Sequence, residues 1–386
     1  KRLSLNEKCR LKKELFYALR KMDMLQELLE EHSITEIMVN GTEGIFLERE
    51  GRLYRWDKSF ASEERILDIV QQIAGACNRT VNESQPIVDA RLKNGDRVHI
   101  VLPPVAVNGP IITIRRFPDE PVTMQKLLEL QSISEEEAEF LKHAVRAGYS
   151  ILIAGGTGSG KTTFLNALSE YIPEDERVVV IEDTSELQIR TVPNLVRLET
   201  RSAGLEDCRE ITVRDLIRAS LRMRPSRIIV GEVRGGEAFE LLTCLNTGHD
   251  GSISTCHANS TRDTISRLET MSLMGMELPL QAIRRQIASG IDLIVYLGRL
   301  RDKTRRLLEI TEVTGMEGDQ VGLNPLFLFR ETGEVLGRIC GIQERTGEMK
   351  HIEKFQRAGM GKMYMEAAAG NTDRDPAGGS TCLAVL

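Results

Sequence analysis

The 386-residue sequence is poor in aromatic side chains, which make up 4% of it and include one tryptophan. Proteins that hold single-stranded nucleic acid stack bases on such rings, so stacking platforms are scarce here. An excess of positive charge is also missing. The formal net charge is -6, which argues against a surface built throughout for nucleic acid. No apolar run approaches the roughly 18 residues needed to cross a bilayer, and no secretory signal opens the chain. A cytoplasmic protein is therefore expected. The seven cysteines are scattered from Cys9 to Cys382 without a C-x-x-C pair. They read as reduced thiols, with neither a zinc site nor a disulfide framework.

What is present is an ordinary globular balance of 28% charged and 41% hydrophobic residues, with length for two or three domains. The stretch Ser150–Thr163, SILIAGGTGSGKTT, organises the rest. Ile151, Leu152 and Ile153 suit a buried parallel strand. Gly155-x-x-x-x-Gly160-Lys161-Thr162 then fits the phosphate-binding loop pattern. Across Gly155, Gly156, Thr157, Gly158, Ser159 and Gly160, the glycines let successive N–H groups turn inward around a polyphosphate. The helix beginning at Lys161, Thr162 and Thr163 adds its positive N-terminal end. Lys161 supplies charge to the β- and γ-phosphates, and the Thr162 hydroxyl is a Mg²⁺ ligand. A nucleoside triphosphate is the expected ligand. Neither an NKxD nor an LSGGQ motif occurs, which removes two common classes of phosphate-loop protein.

The chain around this loop changes period several times. Residues 1–33 carry Leu11, Leu15, Leu19, Met22, Leu25 and Leu29 at helical spacing, an amphipathic packing arm. From Ile34 to residue 117, short runs broken by Gly41, Gly44 and Gly51, a helix at Ser62–Asn78 and two later strand runs describe an α+β N-terminal domain. Pro118 and Pro121 mark a linker over 118–123. The next helix starts at Ser134, where Ser134-x-x-Glu137 is a capping box. Beyond the loop, VVVIED (178–183), RIIVGE (227–232), SISTCHA (252–258) and LIVYLGR (293–299) alternate with helical stretches, and a hairpin follows. This predicts a RecA-like α/β domain over 124–345 with a mostly parallel sheet. Residues 346–386 read as a partly disordered tail.

Catalysis beside a bound triphosphate needs acids at strand ends, because ligands in open α/β sheets gather beyond the carboxyl edge. Glu182, Asp183 and Glu232 qualify, and Glu186 can reach back over the site. Each could also be a simple cap. Glu232 is the only acid where a Walker B strand should end, since Gly231 takes the usual aspartate's place. His249 and His257 flank SISTC. Two histidines make a poor zinc site, which leaves a capping role or a γ-phosphate sensor for them.

The segments GGTGSGKTT, VVVIEDTSELQI, LRMRPSRIIVGEVRGGEAFELL and NTGHDGSISTCHANS resemble, in order, the Walker A, Asp, Walker B and His boxes of the type II/type IV secretion ATPases. The resemblance covers about Ile34 to Gly315. DARLKNGDRVHIVLPPVAVNGPIITIRRF and LPLQAIRRQIASGIDLIVYL look like the CpaF/TadA branch, which serves tight-adherence pili. That resemblance implies an ATP-hydrolysing, homohexameric motor in the cytoplasm, peripheral to the inner face of the cell membrane and docked on an inner-membrane pilus or secretion platform. It implies ATP and Mg²⁺ at the loop, Glu186 as base, Glu232 as the Walker B acid beside the metal, and His257 as the His-box residue. It further implies arginines from a neighbouring subunit's N-terminal domain, best matched by Arg97 and Arg115, with Arg91 and Arg116 undecided. An alternative is a RecA-like nucleic-acid translocase, for which Arg214, Arg218, Arg222, Arg224 and Arg227 speak. Against it stand the negative charge and few aromatics, and no direct nucleic-acid partner is expected.

Overall fold

A computed structural model describes residues 22–49, 51–77, 79–117, 120–201 and 209–361. The chain divides into two compact units, Lys1–Asp119 and Glu120–Leu386. Among the described residues no helix is long and apolar enough to cross a membrane.

The N-terminal unit is built on a six-stranded antiparallel sheet. Its strands are β1 (Ile34–Asn40), β2 (Gly44–Arg49), β3 (Arg52–Arg55), β4 (Ile87–Arg91), β5 (Arg97–Val101) and β6 (Ile111–Arg115), in the order β3-β2-β1-β6-β5-β4. Alternation places Ile37, Val39, Val98, Ile100, Ile112 and Ile114 on one buried face, the period-two signature of a half-buried sheet. Helix α1 (Leu25–Leu29) adds Leu25 and Leu28 to that core, and α2 (Glu63–Ala76) adds Ile66, Ile69, Val70 and Ile73. Most of the leucine-spaced arm, residues 1–21, lies outside the described residues. Arg116 fastens α1 to the sheet. Its Nη1 donates to Leu28 O and Glu31 O at 3.4 and 3.1 Å, and its Nε lies 3.2 Å from the buried Asp96 carboxylate.

The C-terminal unit opens with α3 (Met124–Glu129) and α4 (Glu135–Arg146). The capping box of α4 is complete. Ser134 Oγ accepts from Glu137 N, and Glu137 returns the contact to Ser134 N at 2.9 Å. Gly148, at φ +82°, turns the chain out of the helix in the left-handed region that glycine tolerates. A nine-stranded sheet then runs in the order β15-β14-β13-β12-β7-β11-β10-β8-β9. Its parallel part is β7 (Ile151–Gly155), β8 (Arg177–Glu182), β9 (Asn194–Glu199), β10 (Arg227–Val233), β11 (Ile253–His257) and β12 (Leu293–Arg299). Strands β13 (Arg305–Glu317), β14 (Gln320–Val335) and β15 (Arg338–Arg345) continue it antiparallel. Helices α5 (Lys161–Ser169), α6 (Val213–Ser220), α7 (Glu237–Leu245), α8 (Thr261–Gly275) and α9 (Leu280–Gly290) join the parallel strands. Two apolar clusters lie on the sheet's two faces. One centres on Ile151, Ile153, Phe164 and Leu165, the other on Leu152, Ala154, Leu241 and Ile265. A RecA-like α/β domain accompanied by an α+β N-terminal unit is the observed fold.

Three features depart from the sequence pattern. β9, NLVRLE, alternates without being buried, and its half-exposed edge position hid it from an apolar-run criterion. The chain beyond β15 is not structureless where it is described. Helix α10 (Glu353–Arg357) places Phe355, with no exposed surface, against Tyr149 and Phe140 at ring-centroid distances of 4.6 and 6.3 Å. Buried Glu312 on β13 holds that segment, accepting from Lys350 N, His351 N and Asn324 Nδ2. The cysteine expectation also needs correction. Cys77, Cys244 and Cys256 are free thiols, but Cys340 is disulfide-bonded.

Because Phe355 is a core residue of the C-terminal unit, Phe355→Ala should cost about 3–5 kcal/mol of stability. Urea unfolding monitored by circular dichroism reads this directly. A cost below about 1 kcal/mol would mean that α10 does not belong to the core.

Candidate functional site

Three adjacent parallel strands end together and set the site. Their register places Gly155 of β7 beside His257 of β11 on one flank and Leu297 of β12 on the other. Close approach at Gly155 is compulsory: a Cβ there would lie 2.5 Å from both Leu297 O and Ser159 Oγ. Gly158 and Gly160 take φ +72° and +93°, in the region that disfavours side chains, so the loop can double back before α5. Lys161 begins that helix, with Thr162 and Thr163 half-buried behind it.

Lys161 is 7% exposed and its ammonium is held by the loop itself. Nζ donates to Gly155 O and Gly156 O, each at 3.1 Å, and lies 3.3 Å from His257 Nδ1. On the other side of the imidazole, Nε2 lies 2.8 Å from Glu232 Oε1. Glu232 in turn bonds Arg234 Nη2 through Oε2 at 2.7 Å. Burial, then the neighbouring Lys161 charge, pushes the His257 pKa below its ordinary value, against the pull of Glu232. The ring is therefore neutral at neutral pH. An ammonium facing Nδ1 and a carboxylate facing Nε2 favour the tautomer with its proton on Nε2. Burial also lowers the Lys161 pKa, partly offset by Glu232.

The carboxylates have separate tasks. Glu182 is buried, and its Oε1 accepts from Glu186 N at 2.8 Å and Leu187 N at 3.0 Å. It fixes the turn carrying Glu186 and has little capacity left for a ligand. Glu186 is half-buried and, with Asp183 and Glu232, raises the Arg234 pKa, a through-space attraction that places it near the same cation. Asn166, on the helix that follows the loop, accepts from Gln188 N at 2.7 Å. The Glu186 segment is thereby tied to the phosphate loop. His249 falls outside this constellation. It precedes β11 at the opposite end of the strand and lies 3.2 Å from Cys244 O through Nδ1.

The residues present fit a nucleotide and a divalent cation. Ser159 Oγ is buried without a hydrogen-bond partner. Unsatisfied buried polar atoms are costly. It belongs to the loop whose glycine-rich backbone suits a phosphate. Among the described residues no group of three or more His, Cys, Asp or Glu could hold a metal.

In the N-terminal unit, Arg97 and Arg115 are direct cross-strand partners. Arg91 faces Arg97 on the next strand, so three guanidiniums share one rung of the sheet. Glu36 and Glu48 continue that rung on β1 and β2. Like charges directly opposite each other repel and opposite charges attract, so Glu36 facing Arg115 offsets part of the repulsion, and Arg91 also donates to Gly95 O at 3.4 Å. Burial raises the Glu36 pKa, helped by Glu48 and opposed by Arg115. Arg116 is committed to α1 and Asp96, as described above. Three of the five arginines that suggested a translocase are paired with carboxylates. Arg227 is buried and paired with Glu176, while Arg214 and Arg218 both meet Glu240 at 2.8 Å. Asp215 completes the capping box of α6 with Thr212.

Two further arginines were not legible as site residues. Arg299 and Arg305 are the last pair of the β12–β13 ladder. Arg305 Nε donates to Gly158 O at 2.9 Å. They lie about 140 residues from the loop, and only the β7–β12 register brings them to it.

Comparison with known proteins agrees with this geometry. Residues 18–358 match the family model described as type II/IV secretion system protein. A putative conjugal transfer protein of Mycobacterium tuberculosis, Rv3659c, is 36% identical over 301 residues, covering 76% of this chain and 85% of that one. The type IV secretion system protein VirB11 of Brucella suis is 34% identical over 303 residues, covering 72% and 84%. Among solved structures, the pilus retraction motor PilT with bound ADP superposes with a TM-score of 0.55 at 18% identity over 90% of each chain. That likeness concerns the fold. The family match and the VirB11 identity together establish that this chain belongs to the type II/IV secretion system protein family.

Proposed function

We propose that this protein is an ATP-hydrolysing ring motor of the CpaF/TadA branch, which powers pilus assembly or protein secretion. In this reading it is a homohexamer in the cytoplasm, acting on an inner-membrane platform. The observation that supports it best is the run Lys161–His257–Glu232–Arg234 at the carboxyl edge of the sheet, beside a loop with an orphaned buried hydroxyl.

ATP is the substrate, cradled by the loop amides from Gly155 to Thr163. Lys161 exchanges the carbonyls of Gly155 and Gly156 for the β- and γ-phosphates. Thr162 and Glu232 would hold Mg²⁺, which would supply neutralisation of the charge that grows on the phosphates. Glu186, on the turn fixed by Glu182, orients the attacking water and accepts its proton. His257 is neutral and carries its proton on Nε2. Its Nδ1 follows Lys161, so it reports where that ammonium sits and passes the difference to Glu232. Arg97 and Arg115 are supplied by a neighbouring subunit. There their clustered charge stabilises the γ-phosphoryl transition state, an effect worth about 10³–10⁵ in rate. Hydrolysis then depends on the placement of a neighbour's N-terminal unit, the condition for turning chemistry into motion.

Lys161→Ala should abolish ATP binding and turnover while leaving the fold intact by circular dichroism; wild-type turnover in that variant would sink the assignment. Glu186→Gln and Glu232→Gln should each still bind ATP and lose about 10²–10⁴ in hydrolysis rate, read by phosphate release. Normal hydrolysis in either would remove that residue from the mechanism. Arg115→Ala subunits should bind ATP without hydrolysing it, and mixing them with Lys161→Ala subunits should restore part of the activity. Recovery that neither variant shows alone is the signature of a site completed by two subunits, and arginines acting within one subunit predict none.

A further inference from the structure

The turn between β12 and β13 reaches the phosphate loop from the side that the parallel strands leave open. Arg305 makes two contacts there. Its Nε donates to Gly158 O at 2.9 Å. Its Cδ lies 3.3 Å from where a Cβ on Gly160 would stand, so its stem runs over the residue that starts α5. One side chain thus brackets Ser159, touching the glycine on each side of it. Arg299, its ladder partner, comes within 3.6 Å of the corresponding position at Gly158.

The turn that carries Arg305 is held independently of the loop. Leu300 N donates to Thr304 O at 2.8 Å, and Asp302 Oδ1 accepts from Thr304 N at 3.0 Å. Asp302 Oδ2 accepts from Ile339 N on β15 at 2.9 Å, and Arg301 reaches Glu331 on β14 at 2.6 Å. Arg306 adds a donor to Ile339 O at 3.1 Å. Two bonds within the turn and three residues pinned to two strands make a stiff mount.

We propose that Arg305 is a positioning residue for the nucleotide, acting by fixing the peptide between Gly158 and Ser159. In a trans peptide the C=O and the following N–H point in opposite directions. Anchoring Gly158 O on the guanidinium therefore directs the Ser159 N–H back across the loop, where it donates to Gly156 O at 3.3 Å. Gly158, whose ψ sets this plane, would otherwise leave it free to rotate. A charged donor on the carbonyl also polarises the peptide and strengthens this N–H, whose long bond to Gly156 O a phosphate oxygen would replace. This inference rests on nucleotide binding at Gly155–Thr163 and adds a residue, from a different part of the sheet, on which that binding depends.

The test is a fluorescence titration with an N-methylanthraniloyl derivative of ADP in the presence of Mg²⁺, with thermal unfolding run alongside. The wild-type protein must bind first. If it does not, the nucleotide reading itself fails before Arg305 is in question. Arg305→Met keeps the stem over Gly160 and removes the donor, and should weaken binding about tenfold. Arg305→Lys keeps one charged donor for one carbonyl and should recover most of that loss. Both should unfold within a few degrees of the wild type. Wild-type affinity in Arg305→Met would overturn the proposal, because packing alone would then suffice. Equal weakening in Lys and Met variants would also overturn it, since restoring a donor would then restore nothing.

Discussion

The pairing of Gly155 with His257, and of Gly155 with Leu297, is the constraint on which the rest of the site depends. Parallel strands in register end at one level, and everything they carry is delivered to one edge. Lys161 is buried there, so its charge must find acceptors. The loop carbonyls and His257 supply them, and His257 connects onward to Glu232. A one-residue slip of β11 would turn His257 to the other face of the sheet and leave the ammonium without that neighbour. The apolar runs on both faces of β7 are therefore as much a part of the chemistry as the glycines after it.

Local signals made much of this legible. The phosphate loop, the capping box at Ser134, and strands β7, β8, β10, β11 and β12 are written in contiguous residues whose spacing is itself the physical requirement. What escaped the sequence depends on contacts between distant segments. Phe355 reads as one aromatic in a polar tail until Tyr149 and Phe140 are seen around it. Glu182 looks like a catalytic candidate because it ends an apolar strand. Only its bonds to the Glu186 and Leu187 amides reveal it as the support of a turn. His249 and His257 look symmetrical in the sequence, yet one precedes the five-residue strand β11 and the other ends it, so they sit at opposite ends of an element about 17 Å long.

The N-terminal unit shows another way in which charge can be arranged. Its sheet concentrates Arg91, Arg97 and Arg115 on one rung, and spends Arg116 on holding α1. Two adjacent arginines in the sequence, at 115 and 116, thus serve opposite purposes because successive residues of a strand point to opposite faces. Arg115 continues the charged rung. Arg116 turns to the buried Asp96 and the backbone of the first helix.

The strand order also has a consequence in time. β7 is the first strand of its sheet to leave the ribosome, yet both of its neighbours, β11 and β12, come more than a hundred residues later. Phe355, which covers Tyr149 at the foot of β7, comes later still. Vectorial synthesis at about 5–20 residues per second therefore leaves the phosphate loop unsupported for roughly 10–40 seconds while the rest of its sheet is made. The N-terminal unit, whose six strands are complete by Arg115, has all its partners in hand during that interval. A nascent chain thus carries all the strands of an arginine-bearing unit well before it has the strands that flank its phosphate loop.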